Sequence, residues 1–367
     1  MHMGSTVYFS KMFQAVPHLA QVARELPGTF VTTRRSTLKA VHRLYPDLDT
    51  AFQPRFLGPF SAGQRRLRKA DVIVTGSPYR SLLEPYGAKK ATVFHGTYMM
   101  LSRDALLKNA HFDLLCTIGP RMQDMISRFA DVSLNTVQTG FLPFCEYPEQ
   151  TALHRQQVLQ GMGLDPQRQT ILYTPSRRGE GSWNLVAEQL VLTAPAHFNL
   201  VLRPHPSQSL TARRKDRESF ARVQKRIAQR SGAYLDLGTR SLAELVAVAD
   251  LVLSDANSPS EESMFYDVPQ MFIETSTYSR DMLRQQGIRE AMHEDDLERL
   301  LTLYDCGPST HIAALPDFGE SLDRAIADAP SYAAQRDRYF SWVFGQRDRF
   351  ANKRVAQAIQ HHLLQRG

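Results

Sequence analysis

The sequence contains few cysteines and no long apolar run. Its 367 residues include three cysteines, Cys116, Cys145 and Cys306, and none of them has CxxC spacing. This pattern indicates neither a disulfide framework nor a zinc site. No stretch approaches the roughly 20 apolar residues of a membrane-spanning helix, and residues 1–5 lack the features of a secretory signal. We therefore expect a cytoplasmic protein. No carboxylate cluster requires a metal ion, and we expect no cofactor.

Positive charge exceeds negative charge, with 44 Lys and Arg against 37 Asp and Glu. The excess is concentrated in segments 64–69 and 213–230. A solvated helix face is the simplest explanation for each segment, and contact with anionic lipid headgroups is the functional alternative. No aromatic-interleaved basic strand or zinc finger accompanies the charge. We expect an anionic membrane surface as a partner, with peripheral attachment at the inner face of the cell membrane, and no nucleic acid.

Short apolar runs alternate with segments of helical spacing, which predicts parallel sheets covered by helices. The first βα turn has no GxGxxG, so a dinucleotide fingerprint is absent there. Segment 141–150 has two prolines and no periodicity, and we interpret it as an interdomain linker. The predicted strands are 6–9, 30–33, 71–76, 90–94, 112–119, 136–140, 171–173, 199–202, 234–237, 250–255 and 268–273. The predicted helices include 16–26, 120–130, 152–162, 242–249 and 261–266.

This alternation predicts two successive β/α domains around a central cleft. We place an acceptor-side domain at 1–145 and a nucleotide-donor-binding domain at 146–335. A helical segment follows at 336–367, and we expect it to pack back on the first domain. Two domains also agree with the chain length, which exceeds what a single core usually supports.

Polar and basic side chains follow two neighbouring strands of the second half. In open parallel sheets, ligands bind just beyond the carboxyl ends of the strands. Two adjacent strand ends rich in hydroxyl, guanidinium and imidazole groups suit an anion, which we interpret as a nucleotide pyrophosphate. The residues concerned are Thr174, Ser176, Arg177, Arg178, Arg203 and His205.

Two further strand ends carry functional side chains. His95, Gly96 and Thr97 follow the run 90–94, where glycine permits close backbone approach and imidazole titrates near neutrality. A histidine that only caps the turn is the alternative. Asp255, Asn257, Ser258 and Glu262 follow the run 250–255 and lead into a predicted helix. Small polar residues before a helix are an anion-binding arrangement, and simple N-capping is compatible with it.

These motifs together resemble the CDP-glycerol glycerophosphotransferases, the polyol-phosphate transferases of teichoic-acid and capsule synthesis. The similarity runs from about residue 70 to the C-terminus. The residues that carry it are Val93–Thr97 for WHGT, Gly140–Pro143 for a Gly-x-Pro turn, Tyr173–Arg178 for aPTxR, Leu202–Pro206 for LHP, Ala249–Asp255 with Ser258 and Pro269 for ADxxItDYSS…P, and Phe344, Gly345, Asp348 and Lys353–Ala356 for the closing pattern.

The resemblance implies a GT-B fold and a CDP-activated polyol-phosphate donor. It also implies a lipid-linked or polymeric cell-surface glycan as acceptor. His95 becomes the candidate general base, and His205 the group that contacts the pyrophosphate and steadies or protonates the leaving side. Donor contacts are assigned to Gly96, Thr97, Thr174, Ser176, Arg177, Arg178, Arg203, Asp255, Asn257, Ser258 and Glu262.

The sequence departs from that family at several positions, and three alternatives stay open. Ala256 and Asn257 replace Tyr and the first Ser of DYSS, and no Lys follows the His-Gly-Thr segment. Segment 255–269 also resembles the DSGG…EE…VP region of non-hydrolysing UDP-N-acetylglucosamine 2-epimerases, although Ser176 stands where that family has His. A sugar-transferring GT-B enzyme would use a similar set of residues, with Glu262 on a ribose. An inactive nucleotide-binding paralogue is the non-enzymatic alternative.

Overall fold

The computed structural model describes residues 5–54, 60–129, 131–210, 212–238, 240–315 and 318–364. Most of the N-terminal segment 1–5 and the last position of the predicted helix 120–130 lie outside these residues. The chain divides into two compact units. Unit 1 comprises Met1–Glu146, Glu290–His293 and Trp342–Gly367, and unit 2 comprises Tyr147–Arg289 and Glu294–Ser341.

The described residues of unit 1 contain a parallel sheet of seven strands in the order β3-β2-β1-β4-β5-β6-β7. In β4 all four side chains are buried, as expected for strands covered by helices on both faces. The strands are β1 (Thr6–Phe9), β2 (Thr29–Thr32), β3 (Thr50–Phe52), β4 (Val72–Thr75), β5 (Lys89–Thr92), β6 (Leu114–Thr117) and β7 (Thr136–Gln138).

The first helix of unit 1 packs against the last α-helix of the chain. Leu19 of the first helix shares one buried apolar cluster with Val355 and Ile359. Burying each such side chain stabilises the fold by about 1.5–3 kcal/mol. The helices are α1 (Val16–Glu25), α2 (Arg35–Leu44), α3 (Ala62–Lys69), α4 (Arg80–Leu83), α5 (Arg103–Asn109), α6 (Pro120–Ser127) and, at the end of the chain, α17 (Ala351–Ile359).

Unit 2 contains a second parallel sheet, with six strands among the described residues in the order β10-β9-β8-β11-β12-β13. Tyr173 and Trp183 stack beside this sheet at a centroid distance of 6.1 Å and belong to its apolar core. The strands are β8 (Thr170–Thr174), β9 (Asn199–Leu202), β10 (Ala233–Leu235), β11 (Leu251–Ser254), β12 (Gln270–Glu274) and β13 (Ser309–His311).

Some helices of unit 2 begin at a side-chain cap, as the helices that follow Thr151 and Ser241 do. Ser241, for example, accepts the backbone N–H of Glu244 through its side chain, which satisfies an orphan donor of the first turn. The helices are α7 (Ala152–Gln160), α8 (Trp183–Thr193), α9 (Pro206–Ser209), α10 (Arg214–Ile227), α11 (Leu242–Ala247), α12 (Ser258–Ser263), α13 (Arg280–Arg289), α14 (Glu294–Leu301), α15 (Gly319–Ala327) and α16 (Ala329–Phe344). From Trp342 onward, α16 belongs to unit 1.

Both sheets have the strand order 3-2-1-4-5-6 of doubly wound folds, with β7 added in unit 1. In such sheets the ligand crevice lies where the strand order reverses, at the carboxyl ends of the first and fourth strands. In unit 1 these strands are β1 and β4, and in unit 2 they are β8 and β11. The predicted site residues follow β5 in unit 1 and β8, β9 and β11 in unit 2.

Several elements differ from their prediction. The helix predicted at 261–266 begins three residues earlier, because Asn257 is extended and Pro259 presets the helical backbone. Its last three predicted residues form a 3-10 turn, Met264–Tyr266. The predicted linker 141–150 includes a 3-10 helix, Leu142–Glu146, with a buried Phe144. β3, α2 and β13 were not predicted, and the two strands among them are three residues long with at most one buried residue each.

Candidate functional site

His95 lies just beyond β5, and the ring is oriented by the backbone of the neighbouring strand β4. Its Nδ1 is 2.5 Å from the carbonyl oxygen of Gly76, and Ser77 Oγ lies 3.3 Å from the same nitrogen. A carbonyl oxygen can only accept, so Nδ1 carries the proton and Nε2 holds the lone pair of the neutral ring. Burial lowers the pKa of His95, and the hydrogen bond to Gly76 opposes that shift. The side chain is therefore a neutral base at pH 7.

The residues around His95 have an unusual backbone. Phe94, Gly96 and Tyr98 have φ of 57°, 69° and 49°, so left-handed residues alternate along the segment. Glycine adopts this conformation readily, whereas Phe and Tyr do so at a cost of roughly 1–2 kcal/mol each. Thr97 is buried, and its carbonyl accepts a hydrogen bond of 2.7 Å from Arg121.

The carboxyl ends of β8 and β11 are joined by a buried carboxylate. Asp255 accepts the backbone N–H groups of Ser176 at 2.6 Å and Ser182 at 2.9 Å, and the Ser182 hydroxyl donates to its other oxygen. Burial raises the pKa of Asp255, and these hydrogen bonds oppose the shift. Both carboxylate oxygens therefore hold the loop 176–182, which carries Arg177 and Arg178. Asp255 thus positions these two arginines by fixing the loop.

Two buried polar groups at the same strand ends have no partner among the described residues. Asn257 donates to the carbonyl of Thr174 at 2.8 Å, but its Oδ1 and the Oγ1 of Thr174 are both buried and unpaired there. An unmet buried polar group costs about 1–3 kcal/mol. Their position at the switch point of the sheet makes them suitable to bind polar groups of a ligand.

The three predicted arginines differ in how firmly they are held. Arg203 donates to buried Asp236 at 2.5 Å and to the carbonyl of Arg240 at 2.8 Å. Arg178 pairs with Asp216 at 2.6 Å and donates to the carbonyl of Ser207. The remaining pair, Arg177 with Glu180, is exposed. Arg177 can therefore turn to a ligand at the smallest cost.

His205 has the opposite tautomer to His95. It precedes α9, and the N–H of Ser207 donates to its Nδ1 at 3.1 Å, so the proton of the neutral ring is on Nε2. Burial, followed by the positive charges of Arg177 and Arg178, lowers the pKa of His205 to about 4. Of the two predicted roles, this geometry favours steadying an anion by donation over delivering a proton.

Glu262 and Ser258 lie on α12. Tyr147 donates to Glu262 Oε2 at 3.4 Å, and Ser258 is the first residue of the helix. Gly96 and Thr97, which were predicted to contact the same donor, belong to unit 1, whereas Ser258 and Glu262 belong to unit 2.

His18 and Arg121 also contact the His95 segment, and neither was predicted from the sequence. The N–H of Gly96 donates to His18 Nε2 at 3.3 Å, and Arg121 is 1% exposed beside Trp342. His18 lies within the predicted helix 16–26, and Arg121 follows the proline that begins the predicted helix 120–130. Neither position carries a sequence signal, since both partners are distant along the chain.

The two basic segments form parts of helices. In α3, the side chains of Arg65, Arg66, Arg68 and Lys69 are exposed. In α10, Arg214 pairs with Glu218 at 2.7 Å and Arg222 pairs with Glu188 at 2.8 Å. Within the described residues, no helix is both long and apolar enough to cross a membrane. No cluster of three or more His, Cys, Asp or Glu side chains there could hold a metal ion.

Comparison with solved structures identifies the two-domain α/β arrangement as a GT-B fold, which confirms the predicted fold class of two β/α domains. The wall teichoic acid polymerase TagF aligns at a TM-score of 0.67 with 13% identity, over 98% of this chain and 89% of that chain. HepE from Anabaena, in complex with UDP and glucose, aligns at 0.55 with 13% identity, over 98% and 100%. UDP-GlcNAc 2-epimerase from Neisseria meningitidis, bound to UDP-GlcNAc, aligns at 0.56 with 12% identity, over 98% of each chain.

A second solved structure of TagF is that of a histidine-to-asparagine variant soaked with CDPG. It aligns at a TM-score of 0.65 with 15% identity, over 98% of this chain and 89% of that chain. At such identities the likeness establishes the fold, and function has to be argued from the site. No family model matches the sequence, and no curated protein matches it.

Proposed function

We propose that this protein is a transferase that moves a polyol phosphate, such as glycerol phosphate, from a CDP-activated donor to a hydroxyl of a lipid-linked or polymeric cell-surface glycan. The observation that carries the proposal is the hydrogen bond from His95 Nδ1 to Gly76, which leaves Nε2 as a base. The resemblance to glycerophosphotransferase motifs supports the choice of donor, and the GT-B fold accommodates a nucleotide-activated substrate.

His95 acts on the acceptor. Its Nε2 takes the proton of the acceptor hydroxyl while that oxygen forms a bond to the β-phosphorus of the donor. The bond from this phosphorus to the bridging oxygen breaks, and cytidine monophosphate leaves with the electron pair. A positioned general base accelerates such a step by about 10²–10⁴, and the rest of the effect comes from orientation and charge stabilisation.

Unit 2 binds the nucleotide-activated donor. His205 donates from Nε2 to a pyrophosphate oxygen, and exposed Arg177 exchanges Glu180 for the phosphate. The unpaired oxygens of Thr174 and Asn257 bind hydroxyl groups of the donor. Arg178, Arg203, Ser176 and Ser258 complete the donor-binding surface. Asp255 holds the loop that presents Arg177 and Arg178, and Glu262 binds the ribose.

The acceptor and the membrane complete the proposal. We assign the exposed basic side chains of α3 and α10 to an anionic membrane surface, with the protein attached peripherally at the inner face of the membrane. Flotation with anionic and neutral vesicles at low and high salt tests this assignment. Equal binding to anionic and neutral vesicles contradicts this assignment.

A ligand panel tests the donor. Thermal unfolding is measured with CDP-glycerol, CDP-ribitol, UDP-N-acetylglucosamine, CMP-sialic acid and CMP, followed by turnover assays with wild type and His95→Asn. We expect stabilisation by the CDP-polyols, release of CMP in the presence of acceptor, and loss of release in the variant. Stabilisation by UDP-N-acetylglucosamine alone, with epimerisation, would establish the epimerase alternative. Binding without turnover would indicate the inactive paralogue.

A further inference from the structure

His18 lies in the first turn of α1 and is 5% exposed. The backbone N–H of Gly96 donates to its Nε2 at 3.3 Å, so this nitrogen is unprotonated and the proton of the neutral ring is on Nδ1. The ring packs edge-on against Phe141 at a centroid distance of 5.3 Å. Burial and the nearby His95 lower the pKa of His18 to about 3. His18 therefore remains an acceptor throughout the physiological pH range.

The segment that His18 contacts is strained. Left-handed φ values at Phe94 and Tyr98 enclose His95, Gly96 and Thr97. Such residues persist only where the surrounding structure holds them, because each costs about 1–3 kcal/mol. Hydrogen bonds hold this segment at three successive residues. The side chain of His95 bonds to the carbonyl of Gly76, and the N–H of Gly96 donates to His18. The carbonyl of Thr97 accepts from Arg121.

We infer that His18 is a positioning residue for His95, since it fixes the amide of Gly96 and so keeps the strained turn in the conformation that directs Nε2 of His95. Gly96 is half-buried, and its amide finds its side-chain acceptor in the buried ring of His18. The carbonyl groups of a helix are bonded within the helix, and the apolar side chains of α1 accept nothing. The catalytic part of the inference rests on the proposed function, whereas the hydrogen bond and its effect on His95 do not.

The first experiment uses wild-type protein alone. Two-dimensional proton–nitrogen spectra of the imidazole groups are recorded at neutral pH. We expect both His18 and His95 to show the tautomer with the proton on Nδ1, and His205 to show the proton on Nε2. A proton on Nε2 of His18 overturns the inference, because that nitrogen could not then accept from Gly96.

The second experiment compares His18→Leu, which has no acceptor, with His18→Gln, whose carbonyl reaches a similar distance. His42→Gln is the matched control, since His42 is exposed and makes its bond to Thr50 away from the turn. In His18→Leu we expect hydrogen exchange at Gly96 to accelerate about 10-fold. We also expect His95 to become a mixture of tautomers. His18→Gln should restore both signals.

The kinetic readout separates positioning from donor binding. With CDP-glycerol, His18→Leu should lower kcat by about 10- to 100-fold and leave KM within about twofold, because a misplaced base affects the chemical step. His18→Gln should recover most of kcat. Unchanged exchange and tautomer signals in folded His18→Leu overturn the inference. If the spectra change as expected but wild type turns over no donor, the proposed function fails and the positioning role stands.

Discussion

Asp255 accepts the backbone N–H of Ser176 across a distance of 2.6 Å, although the two residues are 79 positions apart in the chain. This bond links the carboxyl ends of β8 and β11 and shapes the loop that carries the proposed phosphate-binding arginines. The same oxygen also accepts from Ser182. Asp255→Ala leaves two buried amide groups without an acceptor, so we expect a loss of about 2–4 kcal/mol in unfolding free energy.

Asp255→Ala should also raise the KM for the donor more than it lowers kcat, because the loop positions binding groups. Urea unfolding and steady-state kinetics measure both effects. Asp323→Ala is the control, since Asp323 forms an exposed pair with His197. Equal stability of the two variants would contradict the role of Asp255.

Arg177 and Arg203 should respond differently to truncation. Arg177 forms an exposed pair with Glu180, and such pairs contribute about 0–1 kcal/mol. Arg177→Ala should therefore raise the donor KM with little change in Tm. Arg203→Ala removes the ion pair of the fully buried carboxylate of Asp236, and breaking a buried pair by removing one partner costs about 3–5 kcal/mol. Similar losses of stability in both variants would refute this distinction.

The pH dependence of turnover should report His95. Its pKa is lowered by burial, so the neutral base persists below the usual titration range and kcat/KM should fall only when the pH drops below about 6.5. His205→Gln should keep this acid limb, because the pKa of His205 is about 4. An acid limb that disappears in His205→Gln and remains in His95→Asn would reverse the assignment.

His95 and His205 belong to different units, and a double variant tests whether both serve one reaction. If they do, His95→Asn and His205→Gln should be strongly non-additive, with the double variant about as slow as the worse single variant. Fixed-time activity assays with CDP-glycerol measure the turnover of the two single variants and of the double variant. Fully multiplicative losses would argue for independent effects.

Protein stability should depend on His18 below neutral pH. A histidine titrates near 6.5 in the unfolded chain, whereas burial lowers the pKa of His18 to about 3 in the folded protein. Between these values the unfolded chain binds the proton that the folded protein excludes, so stability decreases as the pH falls. The slope is at most about 1.4 kcal/mol per pH unit.

We therefore expect His18→Gln to gain about 2 kcal/mol relative to wild type when the pH falls from about 7 to about 5. Urea unfolding at both values checks this. His42→Gln should change in parallel with wild type. A constant difference between wild type and His18→Gln would show that His18 is not buried as the neutral ring.

Most of the parallel strands were predictable because each is a short apolar run. Val72–Thr75 and Leu251–Ser254, for example, are buried along their whole length, which leaves a clear local signal. The short edge strand Thr50–Phe52 was missed because only one of its three residues is buried, which leaves no apolar run in the sequence. The start of α12 was misplaced because the predicted helix began at Glu261, although Pro259 favours the first turn of a helix.

Local sequence pattern nominates candidate site residues, but it does not give their arrangement. A polar residue that follows an apolar run must lie at the edge of a parallel sheet, so His95, Ser176 and His205 could be named from local pattern alone. The tautomers and hydrogen bonds of these side chains depend on partners that the local pattern does not identify. Arg203, for instance, donates to Asp236, which is 33 positions away, and no local pattern predicts this pairing.

The sequence by itself determined the two β/α halves and predicted an anionic ligand and two functional histidines, because hydrophobic periodicity and strand-end chemistry are local properties. The tertiary structure decided which nitrogen of each imidazole carries the proton, which arginine is accessible to a ligand, and that His18 supports the His95 turn. The physical reason is distance along the chain. Hydrogen bonds that join residues such as His18 and Gly96, 78 positions apart, exist only after the sheet and its helices have assembled.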